Sequence, residues 1–277
     1  MNSVLNHLIQ LQELDFALAE QKTANPQAPL TQLEDAIAQL RAQLPDQVLS
    51  RYQRLQQNSA LAVVPVANGA CSQCRMGVPL GIVNAVRAGE ELQTCGHCGR
   101  FLFWQEVTPR QPKKSGGDKL PRAGIARFSS PKLMLPRLAA TTRDAALGEL
   151  AELLARQGFV EEPGSLVEMA LRREAMVSTA VENGLAFPHV RNVEGGGLTF
   201  AVGLHEKGID FGGADGQASR IIFFIVIPAP ASAFYLRLLA GLVRTFSEAE
   251  ARQTLLECAT PDAMWKTLAK LTRQTIP

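Results

Sequence analysis

The chain has 277 residues, of which 46% are apolar and 19% are charged, and its net charge is +2. This balance excludes a disordered or fibrous protein, and the length allows two domains, each with its own core. The longest apolar run, residues 221–227, is too short to cross a bilayer and is typical of a buried strand. The N-terminus has no basic stretch ahead of an apolar core, so no secretory signal is expected. The sequence therefore predicts a cytoplasmic protein without membrane insertion, whose cysteines stay reduced.

Residues 1–58 are predicted to form a helical hairpin with the character of a coiled coil. Two stretches carry apolar residues at helical spacing, on either side of a break at residues 24–29 that contains two prolines. Pro45 interrupts the second stretch, and residues 47–55 are predicted to be helical again. The repeating apolar positions are Val4, Leu8, Leu11, Leu14 and Leu18, then Leu33, Ile37, Leu40 and Leu44. Two such stripes can bury each other, which favours a spacer or dimerisation element.

Residues 59–104 are predicted to form a small β zinc ribbon. An apolar stretch at residues 60–67 runs into Asn68-Gly69, a pair typical of tight hairpin turns. Two Cys-x-x-Cys pairs follow, with twenty residues between them, and their cysteines are Cys71, Cys74, Cys95 and Cys98. Four thiolates at this spacing can close one tetrahedral Zn²⁺ site with no open position, so a structural zinc ion is expected.

Two alternatives exist for these cysteines. A redox dithiol uses a single Cys-x-x-Cys pair, whereas this chain has two. His97 lies inside the second pair and could replace one thiolate, although we expect it to face solvent.

Residues 105–132 form a basic segment that is predicted to be a flexible linker. It carries seven Lys or Arg residues against two acidic residues, together with four prolines and a Ser-Gly-Gly run. The alternative is a basic strip that contacts nucleic acid or an acidic partner.

The first part of the chain resembles the bacterial C4-type zinc-ribbon family, in which a helical hairpin carries a ribbon. The resemblance covers about residues 1–104 and lies in Arg51-Tyr52, residues 68–74 and residues 95–100. It implies nucleic-acid binding through the ribbon and linker, or protein scaffolding.

Residues 133–277 are predicted to form an α/β domain with a mixed sheet flanked by helices. Helical patterns begin at Thr142 and at Leu166, and they return over residues 235–246, 252–258 and from 261 onward. Strand patterns lie between them at residues 199–203 and 221–227. The alternation of helices with buried strands indicates this class, so the whole chain is predicted to be multidomain.

The second part also carries an ordered set of motifs that resembles a known family. The motifs are Arg173-Glu174, Ser178-Thr179, residues 183–189 with Pro188-His189 at their end, residues 208–211, and Pro228 with residues 236–242. Together they resemble the enzyme IIA domain of the sugar phosphotransferase system, of the fructose, mannitol and nitrogen-regulatory type, over about residues 133–273. The resemblance implies that His189 accepts a phosphoryl group from a histidine phosphocarrier protein and passes it on.

Imidazole chemistry agrees with that role. The ring has a reference pKa near ~6.5, so a neutral nitrogen can act as nucleophile around neutral pH. A phosphoryl group brings about two negative charges, which need a cation. Arg173 is the candidate, because guanidinium binds phosphate through two hydrogen bonds, and Arg172 and Arg191 are its alternatives.

Further phosphate donors are expected from Ser178, Thr179 and the backbone N–H groups near Gly184. Alternatively, the two hydroxyls cap a turn. Where family members often carry a second histidine, this chain has Tyr235, which can donate a hydrogen bond but cannot take a positive charge.

Two functions remain open from the sequence. The first is a cytoplasmic phosphotransferase-system IIA-like protein that is phosphorylated on His189 and acts on a regulatory protein target, because no permease or IIB-type domain is expected in the chain. The second is a non-catalytic zinc-ribbon scaffold or nucleic-acid-binding regulator with a degenerate IIA-like sensor domain.

Overall fold

The computed structural model of the chain describes residues 3–24, 30–105, 123–193, 196–213, 215–228 and 231–276. They divide between two compact units, residues 1–108 and residues 109–277. Most of the predicted break after the first helix and of the predicted linker, with its possible nucleic-acid contact, lies outside the described residues. No described helix has both the length and the apolar character needed to cross a lipid bilayer.

Three helices open the first unit: α1 (Ser3–Ala24), α2 (Thr31–Ala42) and α3 (Asp46–Asn58). They confirm the helices predicted from the apolar spacing. One core joins them to the sheet that follows, and its buried members are Leu5, Leu8, Leu11, Leu14, Ile37, Leu40, Leu44, Tyr52, Ala62, Val63 and Phe101. The predicted hairpin and ribbon segments therefore share one core.

A four-stranded sheet follows the helices in the order β2-β1-β4-β3. Its strands are β1 (Val63–Ala67), β2 (Ala70–Cys71), β3 (Gln93–Thr94) and β4 (Phe101–Trp104), and the helix α4 (Leu80–Ala88) lies between β2 and β3. The predicted turn is confirmed, because Asn68 and Gly69 have φ of 50° and 72° and join β1 to β2 as an antiparallel pair. No pattern in the sequence predicted α4.

The second unit contains a six-stranded sheet with helices packed on its strands. The strands are β5 (Met134–Leu135), β6 (Ala180–Val181), β7 (Leu185–Ala186), β8 (His189–Val193), β9 (Thr199–Ile209) and β10 (Ser219–Pro228). The helices are α5 (Arg143–Arg156), α6 (Pro163–Glu174), α7 (Ser232–Phe246), α8 (Ala249–Leu256) and α9 (Pro261–Leu271). β10 is antiparallel to β9 and parallel to β7 and β8. The predicted α/β architecture with a mixed sheet is confirmed.

Residues 123–132 belong to the predicted linker, but they are packed in the second unit. Ile125 is buried, and the hydroxyl of Ser129 donates to the carbonyl of Phe200 in β9 at 2.8 Å. The Phe128 carbonyl in turn accepts from the Phe200 N–H at 3.1 Å. This segment belongs to a basic stretch of the sequence. Its apolar side chain Ile125 is nevertheless buried, and Phe128 and Ser129 form hydrogen bonds with the backbone of β9. The ordered domain thus begins before residue 133.

Candidate functional site

The four predicted zinc ligands lie together in the first unit. The sulfur atoms of Cys71, Cys74, Cys95 and Cys98 are all within 4.8 Å of one another, and all four thiols are free of disulfides. Cys71 Sγ is 3.8 Å from Cys98 Sγ, and Cys74 Sγ is 3.7 Å from Cys95 Sγ. Sulfurs bound to one tetrahedral zinc at about 2.3 Å are separated by about 3.8 Å. The residues therefore fit a metal ion of this size and geometry.

The two cysteine turns are built alike. In the first, the N–H of Cys71 donates to the carbonyl of Met76 and the N–H of Arg75 donates back to the carbonyl of Cys71. In the second, Cys95 makes the same two bonds with Arg100 and Gly99. Each turn passes through a left-handed residue at the same position, Arg75 with φ 60° and Gly99 with φ 73°. This repeated turn brings both sulfurs of a pair to one side.

Side chains from elsewhere in the first unit hold the second turn in place. Arg51, on α3, donates through Nε and Nη2 to the Gly99 carbonyl at 3.1 and 2.8 Å. Arg100 donates through Nε to the carbonyl of Leu61, just before β1, at 2.7 Å. α3 and the segment before β1 therefore both anchor the second cysteine turn.

The thiols differ in their tendency to ionise. Burial raises the pKa of Cys71 to about 12. Burial is the largest influence on Cys98 and opposes its ionisation, but hydrogen bonds from Arg100, Cys95 and Cys74 together outweigh it and lower the pKa of that thiol to about 7. His97 is exposed, as expected, and is not part of the cluster. A bound cation is what would bring the buried thiols to their thiolate form.

The predicted phosphate acceptor, His189, is the first residue of β8 in the second unit. Its ring is buried, with only 1% of the residue exposed. Nδ1 lies 3.1 Å from the carbonyl oxygen of Phe187 and 3.2 Å from the hydroxyl of Tyr235 on α7. The carbonyl can only accept a hydrogen bond, so it favours the tautomer that carries its proton on Nδ1. The lone pair of the neutral ring is then on Nε2.

A chain of hydrogen bonds connects α6 to this ring. The Glu174 carboxylate, at the end of α6, accepts from the N–H of Thr179 at 2.8 Å and from its hydroxyl at 2.7 Å. The Thr179 carbonyl accepts from the N–H of Phe187 at 3.1 Å, and the Phe187 carbonyl faces His189. All four residues are buried. Glu174 and Thr179 thereby set the position of the carbonyl that orients the imidazole.

Two residues that were predicted to donate hydrogen bonds to phosphate, Ser178 and Thr179, make hydrogen bonds within the protein. The Ser178 hydroxyl donates to the Phe211 carbonyl at 2.7 Å and accepts from the N–H of Ala180. The Thr179 hydroxyl proton is held by Glu174. These bonds fix the turn that precedes β6, as the alternative anticipated, and the part of both residues in phosphate binding stays a prediction.

Gly184 lies away from His189. Its carbonyl accepts from the N–H of Arg220 at 2.8 Å, at the start of β10. Leu185 pairs with Ile221 and His189 pairs with Ile225 in one constant register. Gly184 is five positions before His189 in extended chain, a distance of about 16 Å. Its left-handed φ of 70° serves the turn between β6 and β7.

The three candidate arginines occupy different environments. Arg172 is exposed and pairs with Glu168 on the same helix. Arg173 is buried and donates through Nη1 to the carbonyl of Val177 at 2.9 Å, while α6 packs against β8. Arg191 is buried on β8 itself, with its guanidinium carbon 4.9 Å from the centre of the Tyr235 ring. Arg173 was the first candidate from the sequence, with Arg172 and Arg191 as its alternatives, and Tyr235 was noted at the position where family members often carry a second histidine.

Comparison with known proteins identifies the second unit. Residues 128–271 match the family described as phosphoenolpyruvate-dependent sugar phosphotransferase system, EIIA 2. A nitrogen regulatory protein of Bradyrhizobium diazoefficiens is 30% identical over 148 residues, which cover 52% of this chain and 94% of that protein. The fructose-specific EIIA component of Haloferax volcanii is 27% identical over 130 residues, covering 47% of this chain and 84% of that protein.

Among solved structures, the nitrogen regulatory protein IIA-Ntr of Neisseria meningitidis aligns with a TM-score of 0.48 and 21% identity, over 52% of this chain and 98% of that one. The family match spans just over half of the 277 residues, and it contains the buried histidine and the sheet that presents it. The chain therefore belongs to the EIIA type 2 family of the phosphoenolpyruvate-dependent sugar phosphotransferase system.

Proposed function

We propose that the second unit accepts a phosphoryl group on Nε2 of His189 from a histidine phosphocarrier protein. The observation that carries this proposal is the contact of 3.1 Å between Nδ1 and the Phe187 carbonyl. It holds the proton on Nδ1 and leaves the Nε2 lone pair as the nucleophile.

The transfer needs no metal and no net movement of a proton at His189. As the Nε2 lone pair forms the new N–P bond, the P–N bond of the donor phosphohistidine breaks. The electron pair of that bond returns to the donor imidazole. The acceptor ring becomes positively charged, and its Nδ1 proton stays beside the Phe187 carbonyl oxygen, which stabilises that charge.

Access to the ring is a further requirement, because only 1% of His189 is exposed. The docked donor must therefore gain access to Nε2 before the transfer. We assign the protein a regulatory role in the cytoplasm, as the similarity to nitrogen regulatory proteins supports. In this role, the phosphorylated and unphosphorylated forms would contact a protein target differently.

Labelling tests this function. Full-length protein is incubated with radiolabelled phosphoenolpyruvate, enzyme I and the phosphocarrier protein. We expect acid-labile, alkali-stable label on the wild type and on His205→Ala, which removes another histidine of the same unit, and none on His189→Ala. Failure of the wild type to label, or labelling of His189→Ala at the wild-type rate, would contradict the proposal.

The cysteine cluster of the first unit holds a structural zinc ion in this proposal, supported by the sulfur spacing described above. The four sulfurs occupy every coordination position, so the ion would supply folding energy and no chemistry. We expect metal analysis of the purified full chain to find one zinc per chain, and Cys71→Ser to lose it. Cys258→Ser, which changes the cysteine outside the cluster, should retain it. A native chain free of zinc, or a zinc-replete Cys71→Ser, would contradict the assignment.

A further inference from the structure

A cavity of about 290 Å³ lies in the second unit, between the segment ahead of β5 and the end of the chain after α9. The buried side chains of Ile125 and Ile276 line it, together with Ala126, Ala269 and the exposed Arg273. Sites for drug-sized ligands have volumes of about 300–1,000 Å³, so this cavity is at the lower end of that range. It has room for one large apolar side chain.

Both walls of the cavity are anchored to the rest of the second unit. One wall is the short 3-10 helix Gly124–Arg127, where a Cβ on Gly124 would lie 3.1 Å from the carbonyl oxygen of Ile276. The other wall is the turn after α9, in which the hydroxyl of Thr275 lies 2.6 Å from the hydroxyl of Thr245 on α7. The cavity is therefore formed by packed backbone and is present before any ligand binds.

The surface around the cavity is positively charged. Residues 123–137 and 263–276 together contain six Lys or Arg and no Asp or Glu. Lys266, Lys270 and Arg273 follow one another at spacings of four and three, so they lie on one face of α9 and the turn after it, and all three are exposed. A row of cations thus leads to an apolar cavity.

Arg127 brings a second guanidinium to the opposite wall. Its Nε donates to the carbonyl of Gly124, a lining residue, at 3.2 Å, and its guanidinium carbon lies 5.1 Å from the centre of the Phe128 ring. Guanidinium groups bind carboxylates through paired hydrogen bonds. Arg127 and Arg273 therefore flank the cavity with two groups suited to carboxylates.

The charge of the surroundings indicates what kind of segment can bind. Residues 109–122 of this chain carry five Lys or Arg against one Asp, so they have the same sign as the walls and are not complementary to them. A nucleic-acid backbone has the opposite sign but offers no apolar group to fill the cavity. A peptide segment that combines an apolar side chain with neighbouring carboxylates matches both features.

The cavity is separate from the histidine site. β8 pairs with β10, β10 pairs with β9, and β9 pairs with β5, against which α9 packs. Neighbouring strands are about 4.8 Å apart, so β5 lies about 14 Å across the sheet from β8. The residues that line the cavity are not among those that contact His189.

We propose that this cavity is the docking site for an acidic segment of a protein partner. The segment inserts one large apolar side chain between the walls and places its carboxylates against Arg127 and Arg273. Binding at this site does not require phosphorylation of His189, so the inference goes beyond the proposed function and does not depend on it.

The test measures the binding of a fluorescent peptide of alternating Glu and Leu residues to the full chain by fluorescence anisotropy. One control peptide has Lys in place of Glu, and a second has Ser in place of Leu. We expect the acidic apolar peptide to bind and its affinity to fall as salt is added. Each control peptide should bind at least about tenfold more weakly, because each lacks one of the two complementary features.

Variants of the chain then locate the binding site. Arg273→Glu reverses a charge at the cavity and should weaken binding of the acidic peptide at least about fivefold, whereas Arg156→Glu, at an exposed position on α5, should stay within about twofold of wild type. Ala269→Trp fills the cavity and should also weaken binding, with thermal denaturation as the check on folding. If that variant does not fold, Arg273→Glu decides.

The contrary outcomes are equally definite. The inference would be overturned if the acidic peptide does not bind the wild type, if the three peptides bind equally, or if Arg273→Glu and Arg156→Glu behave alike. Phosphate labelling of His189 is measured separately, so a failure there leaves this result standing, and a failure here leaves the labelling result standing.

Discussion

Gln12 ties the first helix to the first strand of the sheet, and replacing it with alanine should strongly destabilise the first unit. The side chain is 2% exposed and makes three hydrogen bonds to backbone groups. Its Nε2 donates to the Val63 carbonyl at 2.8 Å, and its Oε1 accepts from the N–H groups of Ala62 and Val63 at 2.7 and 2.8 Å. A short apolar side chain at this position leaves these backbone groups without the amide that now binds them.

The size of the effect follows from the burial of the partners. Ala62 and Val63 are fully buried, so their backbone groups have no direct access to bulk water. Each buried polar group that loses its partner costs about 1–3 kcal/mol. Water entering the vacated space recovers some of this, and we expect Gln12→Ala to lower the free energy of unfolding by about 3–5 kcal/mol. That is a large share of the about 5–15 kcal/mol that holds a typical domain folded.

Tryptophan fluorescence can follow this unit alone. Each unit has one tryptophan, Trp104 in the first and Trp265 in the second, so a Trp265→Phe background leaves only the first unit visible. Urea unfolding is measured with zinc present throughout, and Gln10→Ala, at an exposed position of the same helix, is the control. A change below about 1 kcal/mol in Gln12→Ala, or an equal change in both variants, would refute the reasoning.

Three further stability predictions follow from single residues. Burial, reinforced by Asp15, raises the pKa of Tyr52, so the folded state holds that proton more tightly than the unfolded chain does. The contribution of Tyr52 to the free energy of unfolding should be constant below about pH 10 and fall above it, so unfolding measured at increasing alkaline pH should show a flatter decline in Tyr52→Phe than in the wild type. A Cβ at Gly241 would lie 2.5 Å from Ile276, so Gly241→Ala should cost about 1–3 kcal/mol, whereas Gly148→Ala, with no neighbour within 4 Å, should be neutral or stabilising; equal melting temperatures would contradict this. Arg75→Gly should stabilise the first unit by about 1 kcal/mol by relieving a φ of 60°, and a loss of stability would contradict this.

The local patterns of the sequence were sufficient for most elements of the first unit. Helix periodicity predicted α1, α2 and α3, and Asn68-Gly69 predicted the turn between β1 and β2. The helix α4 was missed because it has nine residues and no side-chain cap, so neither periodicity nor a start signal marks it. The spacing of the cysteines predicted a cluster that the fold does bring together.

The surroundings of His189 could be predicted only in part. The motif order led to the histidine, but the hydroxyl of Ser178 bonds Phe211, which is 33 positions away, and Tyr235 lies 46 positions from His189. Contacts at such separations depend on which strands pair and on how the helices pack on the sheet, which a sequence pattern does not specify. The pairing with β10 also explains the position of Gly184. This residue is close to His189 in sequence, but the chain between them is extended along β10, so Gly184 lies far from the imidazole.

The ring nitrogen that carries the phosphoryl group decides whether His189 reacts through Nε2. The full chain, with nitrogen-labelled histidine, is phosphorylated through phosphoenolpyruvate, enzyme I and the phosphocarrier protein, and NMR identifies the nitrogen bonded to phosphorus. The contact between Nδ1 and the Phe187 carbonyl predicts that phosphorus is bound to Nε2 of His189. Phosphorus on Nδ1, on another histidine, or on none would contradict the central claim.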